Sequence, residues 1–408
     1  METFAAFSGT LEAGVNRRAT TIAIDAGAIF TPMRKYSPGR ILIEGKSIRE
    51  VGPADNVTIP EGTLRLDCLR LAVVPGFIDP HIHGAGGADV MDGTVESLNR
   101  VSQVLAQHGT TTFLPTTVSS PSETLTSTVE KLGALMSSPF DGAIPVGIHL
   151  EGPFINAIER GTHKPSNITA PDVELFERWV HVSKRSVRLL TMAPELEGAD
   201  TLCAGAQRAG VTVAMGHSNA SFEEASAAAN RGICYAVHTF NAMRPFSHRD
   251  PGIVGEVLSD DRIFAEIIAD GIHVDRHVIE IFARAKRKDR VLLVTDAISA
   301  TGMPDGKHCL GQDTVEVING VCRDREGRLA GSTLTQDVAL RNFVNWTGWA
   351  FEDSLLGLTL NPARALRLDK KGALEPGNDA DIVVLDSEGK VVMTFVGGRL
   401  VYERKGGD

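Results

Sequence analysis

Eight short apolar runs, alternating with stretches of helical spacing, constrain this chain more than any other feature. They read "VVPGFIDPHIH", "TTTFLPTT", "IPVGIHLEGP", "VRLLTMAPE", "VTVAMGHS", "CYAVHTFN", "FAEIIADGIHV" and "VLLVTDAIS". Each looks like a buried strand. Between them Val95, Leu98, Val101 and Leu105 follow helical spacing, and Ser221 with Glu224 forms a candidate capping box. Eight strands with helical crossovers suit a (β/α)8 TIM-like barrel better than a hairpin-built sandwich. An open doubly wound sheet is the alternative that the same alternation allows.

The two ends of the chain read differently from its middle. "TTIAIDAGAIF", "GRILIEGKSIREVG" and "TLRLDCLRLAVV" near the start, and "DADIVVLD" and "VVMTFVGGRLVYE" near the finish, are short β-rich pieces. Gly397-Gly398 suits a tight hairpin turn. Neither end alone makes a credible core, so both together are expected to build one small β-sandwich domain. The expected division is 1–73 and 372–408 for that domain and 74–371 for the barrel. After the eighth run, "TVEVINGVCRD" predicts an inserted hairpin turning at Asn319-Gly320, near the mouth of the barrel.

With 408 residues, the chain is long enough for a large domain plus a smaller one. A formal net charge of −10 argues against a general nucleic-acid or anionic-membrane binder, while permitting a local cationic pocket. Five cysteines, scattered and never in a CxxC pair, point to a reducing compartment rather than a disulfide scaffold. The first residues lack an apolar leader and no later run is long enough to cross a bilayer, so the cytoplasm is the expected location.

The chemistry sits where the strands run out. His81 and His83 are two apart on an extended segment, so their rings can converge, and neutral imidazoles are good ligands for a borderline metal. Glu151 ends the third run, His217 the fifth, His238 lies within the sixth, and Asp296 lies near the end of the eighth. In a parallel barrel those ends form one rim, where side chains distant in sequence meet. Alone, each histidine reads as readily as a hydrogen-bonded structural residue; together on one rim they read as a metal site. The two oxygens of Glu151 could bridge two ions, and Asp296 is the candidate general base beside a metal-bound water. His149, two residues before Glu151, packs beneath the site or orients a ligand and stays outside the candidate set.

"PGFIDPHIHG", "HLEGPF", "GTHKP", "MGHS", "HTFNAM", "ADGIHVD" and "VTDAI" resemble the amidohydrolase superfamily and, within it, the family of N-acetylglucosamine-6-phosphate deacetylases. The resemblance runs from about residue 20 to the end and includes "GALEPGNDADIVVLD" in the small β domain. It implies hydrolysis of the acetamide of a phosphorylated amino sugar, giving acetate and glucosamine 6-phosphate. By matching positions, Glu151, His217 and His238 would hold the main ion, with His81 and His83 for a second. Zinc is the expected metal, with iron(II) or another divalent ion as alternatives, one or two per subunit. Asp296 would carry the proton and His163 would polarise the amide carbonyl. Thr162, His163 and His273 would contact substrate, Asn241, Ala242 and Arg249 would serve the phosphate, and Leu329, Ala330 and Gly331 would line the sugar pocket. Arg249 would reach the neighbouring active site of a homodimer. The fourth run contains no lysine for a carboxylated bridge, which weakens a cyclic-amidase reading. Other readings are a deacetylase for another hexosamine phosphate, such as N-acetylgalactosamine 6-phosphate, and a catalytically silent barrel that binds sugar phosphate.

Overall fold

The computed structural model describes residues 21–405 except Gln312. The first 20 residues, to which the expectation about a leader refers, lie outside the described residues.

All eight runs form parallel strands in the expected order: β1 (Phe77–Ile82), β2 (Thr110–Thr117), β3 (Ile148–Glu151), β4 (Val187–Met192), β5 (Thr212–Met215), β6 (Tyr235–Ala236), β7 (Phe264–Ile268) and β8 (Val291–Val294). β8 returns to β1 through a parallel bridge between Ile82 and Ala297, so the sheet closes nearly completely. The helices that follow pack outside: α1 (Val95–Gln107), α2 (Ser122–Leu135), α3 (Val173–Val182), α4 (Ala199–Arg208), α5 (Phe222–Asn230), α6 (Gly252–Ser259), α7 (Arg276–Ala285) and α8 (Gln336–Thr347). α1 buries Leu98, Val101 and Leu105, as their spacing demands. α5 starts on the expected capping box: Ser221 Oγ accepts from Glu224 N–H at 3.2 Å, and Glu224 Oε2 accepts from Ser221 N–H at 2.8 Å.

The chain ends build one further sheet. Its strands follow the spatial order Arg399–Glu403, Val391–Val396, Ile382–Leu385, Leu64–Pro75, Thr21–Phe30, Gly39–Glu44, Ser47–Pro53, with Lys35–Tyr36 beside Thr21–Phe30. Ile24, Ile41 and Ile43 from the N-terminal part share one apolar cluster with Ile382, Val384 and Phe395 from the C-terminal part. The sheet therefore folds over its own core. Strand alternation explains how it also grips the barrel: Ile382 and Val384 enter the sheet's cluster, while Val383 and Leu385 point the other way into the barrel's. Asn319 and Gly320 both take positive φ, as a primed hairpin turn requires, joining Asp313–Ile318 to Val321–Arg323. A third strand, Gly306–Leu310, pairs with this hairpin and was not expected; its "GKHCL" has little apolar content to signal it.

Among the described residues no helix is long and apolar enough to cross a membrane. Because the end sheet's core needs both chain termini, Phe395→Ala should cost about 3–5 kcal/mol, the range for emptying a buried aromatic site. Urea unfolding measures it; a loss below about 1 kcal/mol would mean that this cluster does little to hold the ends together.

Candidate active site

Three of the four site residues at later strand ends occupy the same place relative to their strands. Glu151 is the last residue of β3, whereas His217, His238 and Asp296 each lie two residues beyond the end of β5, β6 and β8. These last three take φ values of 48°, 29° and 50°. Positive φ on a non-glycine residue costs on the order of 1–3 kcal/mol and persists where the surroundings enforce it. Here the turn swings each side chain from the strand end back over the barrel axis. His81 is within β1 and His83 follows it, so both rings reach the same place from the first strand.

The histidines and Glu151 are buried, Asp296 is partly exposed, and the histidines meet on Glu151. Its Oε1 lies 3.1, 3.2 and 3.0 Å from Nε2 of His81, His217 and His238. Its Oε2 lies 3.2 Å from Nε2 of His83. Asp296 Oδ1 stands 3.2 Å from His83 Nε2 and 3.7 Å from His81 Nε2. Oε1 thus faces His81, His217 and His238 together, while Oε2 faces His83 and His163.

The ring nitrogens that face away from the centre identify those that face inward. His83 Nδ1–H donates to the Thr116 carbonyl at 3.0 Å, and His217 Nδ1–H to the Glu159 carbonyl at 3.0 Å. His81 Nδ1–H donates to Glu266 Oε2 at 2.9 Å. In the neutral tautomer each then offers an Nε2 lone pair to the centre. His163 is opposite. The Ser119 backbone N–H donates to its Nδ1 at 3.1 Å, so Nε2 carries the hydrogen, 3.6 Å from Glu151 Oε2. Although Glu151, His163 and His217 are close enough to share an ion, His163 brings an N–H donor where the others bring lone pairs.

This donor set fits a divalent cation. His81 Nε2 is buried and makes no hydrogen bond despite its 3.1 Å approach to Glu151. Nε2 of His217 and His238 face one another at 3.1 Å, an arrangement that a cation between or beside them relieves. The electrostatics agree. Burial disfavours a charged His83, yet Asp296 and Glu151 outweigh it and push its pKa up to about 9. Burial likewise raises the Asp296 carboxyl, but His81 and His83 overcome this and hold it down at about 2. The Glu151 carboxyl is pulled well below its ordinary range against burial, chiefly by His81. His217 goes the other way: burial lowers it to about 4, keeping the ring neutral as a ligand must be. The pocket stabilises positive charge at its centre.

Around this centre the remaining candidates divide. His273 is held by Asp270 Oδ2 at 2.7 Å; burial opposes its protonation, while Asp270 and then Asp296 raise its pKa. Leu329 to Gly331 return from the inserted hairpin to the rim, with Ser332 N–H donating to the Asp296 carbonyl at 2.8 Å. Gly331 has φ 60°, and a Cβ there would collide with Ile298. Thr162 and His163 line a cleft of about 180 Å³ between their loop and the hairpin, which Lys164 spans by pairing with Asp313 at 2.8 Å. Asn241 and Ala242 form the turn after His238: Asn241 N–H donates to the His238 carbonyl at 2.9 Å, and Ala242 accepts from Ser218 N–H at 3.1 Å. Arg249 is exposed and does not join the buried cluster of its own chain. Arg244, five residues earlier, is engaged by Asp250 at 2.6 and 3.0 Å.

Sequence reasoning missed the residues that orient the ligands. Glu266, Thr116 and Ser119 read as strand or loop positions, and the Glu159 carbonyl gives no sequence signal at all. A polar Glu266 inside the apolar run "FAEIIADG" was the one usable sign. His149 lies beneath the site, bonded to Thr116 and Thr191 hydroxyls at 3.2 and 2.7 Å, with its ring edge-on to His81.

If the cation enforces the left-handed turn at His217, Asn should relieve that backbone while removing the ligand. Metal-stripped His217→Asn should therefore unfold at or above the midpoint of stripped wild type and bind zinc far more weakly. Thermal scans with and without chelator test this; a lower stripped midpoint would show that the ring itself holds the turn.

Residues 72–401 match the amidohydrolase family. The chain is 39% identical over 404 residues to human N-acetylglucosamine-6-phosphate deacetylase, covering 93% of this chain and 98% of that one. It is 36% identical over 327 residues to N-acetylgalactosamine-6-phosphate deacetylase of Escherichia coli O157:H7, covering 80% and 86%. A mutant N-acetyl-D-glucosamine-6-phosphate deacetylase of Mycobacterium smegmatis, solved in complex with N-acetyl-D-glucosamine-6-phosphate, superposes with a TM-score of 0.87 at 32% identity, over 94% of this chain and 99% of that chain. With the barrel, its rim and the converging side chains described above, this chain belongs to the amidohydrolase family.

Proposed function

We propose that the protein hydrolyses the acetamide of N-acetylglucosamine 6-phosphate to acetate and glucosamine 6-phosphate, as a step in amino-sugar breakdown. The observation that carries this reading is that one cluster of side chains holds both a proton acceptor and a hydrogen-bond donor. Asp296 stands beside His83, and the Nε2–H of His163 stands near Glu151. A ligand cluster with only a binding role has no use for both. The relatives' names supply the substrate class. N-acetylgalactosamine 6-phosphate is the second reading, because a relative of similar identity is named for it.

On this reading Glu151, His217 and His238 hold the main ion, zinc by preference and iron(II) as the alternative, with His81 and His83 for a second. A divalent cation bound there supplies Lewis acidity and brings the pKa of a water down towards about 7. Asp296 accepts the proton of the attacking water and returns it to the leaving nitrogen. His163 donates to the carbonyl oxygen as negative charge builds on it. Asn241 and Ala242 receive the phosphate through the turn beyond β6. Arg249, directed outward from its own subunit, completes that grip in the neighbouring subunit of a homodimer. His273 and Leu329 to Gly331 flank the sugar. The five cysteines are all free, which suits work in a reducing cytoplasm.

Acetate release from N-acetylhexosamine 6-phosphates, their unphosphorylated forms and cyclic amides tests the substrate class. It should be confined to the phosphorylated sugars, vanish on chelation and return with zinc; no release from any of them would leave a sugar-phosphate-binding barrel instead. Asp296→Asn should keep metal and substrate binding while lowering turnover by at least ~10²-fold; near-wild-type turnover in the metal-loaded variant removes Asp296 from the proton path. Arg249→Ala should raise KM for the phosphorylated substrate by about 10- to 100-fold, the value of lost charge-assisted hydrogen bonds. Mixed dimers of Arg249→Ala with Asp296→Asn should regain activity if the arginine acts across the interface. No recovery would place it in its own subunit's site.

A further inference from the structure

Glu266 is a fully buried carboxylate on β7, and its hydrogen bonds come from three donors. Tyr235 Oη–H donates to Oε1 at 2.7 Å; His81 Nδ1–H and the His238 backbone N–H donate to Oε2 at 2.9 and 3.0 Å. Among the described residues no lysine or arginine pairs with it; His81 is its only side-chain partner able to carry positive charge. Burying a carboxylate with no such partner is costly. An apolar side chain at this fully buried position would carry no such cost.

We infer that Glu266 is a positioning residue for the second ion: it fixes the His81 ring, makes its Nε2 a stronger donor, and thereby sets occupancy of the His81–His83 position. The inference rests on the reading that those two histidines take an ion. A carboxylate behind a ligating imidazole fixes its tautomer and increases its basicity, and loss of such a partner typically costs 10- to 100-fold in metal affinity. The arrangement is selective. His83 and His217 lean on neutral backbone carbonyls, and His238 Nδ1 has no partner among the described residues. Only His81 is backed by a carboxylate. Oε2 also holds the His238 backbone, so the same atom sets the spacing between the ring of one position and the main chain of the other.

Glu266→Gln keeps the shape but removes one acceptor and the negative charge. Full-length wild type and variant would be loaded with zinc, counted for bound ions after desalting, and titrated against a chromophoric chelator. Wild type should hold two ions per chain; the variant should hold the first as tightly and the second about 10- to 100-fold more weakly. Unchanged affinity for the second ion overturns the proposal, and so does equal weakening of both, which would mark Glu266 as a general structural residue. A wild type holding one ion overturns it too, while acetate release by that one-ion protein would leave the proposed hydrolysis standing. Should Glu266→Gln fail to fold, Tyr235→Phe removes the donor from Oε1 alone and frees the carboxylate to move. It should weaken the second ion by up to about tenfold and spare the first; no change at the second ion counts against the proposal.

Discussion

Closure of the barrel between its first and last strands is the constraint on which the site depends. Asp296 N–H donates to the His81 carbonyl at 3.0 Å, and His83 N–H donates to the Ala297 carbonyl at 2.8 Å. Beneath them the Asp79 carboxylate accepts from the Thr295 hydroxyl at 2.6 Å, across 216 residues of sequence. These bonds bring the histidine pair and the proposed proton carrier side by side at one level. An open sheet would leave β1 and β8 without this backbone pairing, and Asp296 would lose its place beside His83. The alternation of strands and helices permitted both topologies; the chemistry needs the closed one.

Closure alone gathers side chains without aiming them. Three strands are followed, two residues on, by left-handed residues that are not glycine, and each of these residues carries a group of the cluster. Local preference and site geometry conflict at these positions, which is where strain is expected when function has been placed ahead of stability. The electrostatics show a matching conflict. Glu151 and Asp296 share a small space with five imidazoles, and against burial they pull the pKa values of His81 and His83 up, so the space favours compensating positive charge. A divalent ion provides the same compensation from the centre instead of from the rings, without requiring the rings to be charged.

The barrel was legible because eight apolar runs and their helical spacers are long-range patterns that survive local irregularity. The convergence of these side chains was legible because histidines and acids recurred where those runs ended, a coincidence that scattered core histidines would not produce. What supports the ligands was not legible. Thr116 and Glu159 act through backbone carbonyls, which carry no residue identity. Ser119 meets His163 Nδ1 through its backbone N–H at 3.1 Å and its hydroxyl at 2.8 Å, and a lone serine gives no sign of which ring it will meet. Glu266 did leave a trace, a charge inside an apolar strand, but periodicity cannot say which ring across the barrel such a charge will meet. The end sheet shows the same limit. Its strands were recognisable, yet the division of Ile382 to Leu385 between two cores follows only from knowing what lies on each face.

This separation between an identifiable centre and unreadable surroundings bears on which sugar is used. Relatives named for the glucosamine and the galactosamine substrates are similarly close to this chain, at 39% and 36% identity. The two sugars differ at one hydroxyl of the ring, remote from the acetamide, so a cluster built to cleave the amide has no direct means of telling them apart. On the proposed reading, discrimination falls to groups that reach the far side of the ring, for which the segment Leu329 to Gly331, fixed to the rim through Ser332, is the candidate. A site that hydrogen-bonds a hydroxyl rejects the epimer because the displaced polar partner is left buried and unpaired. The deep cluster can therefore stay the same while loops change the sugar, because reaction and specificity are held by different layers of one barrel end.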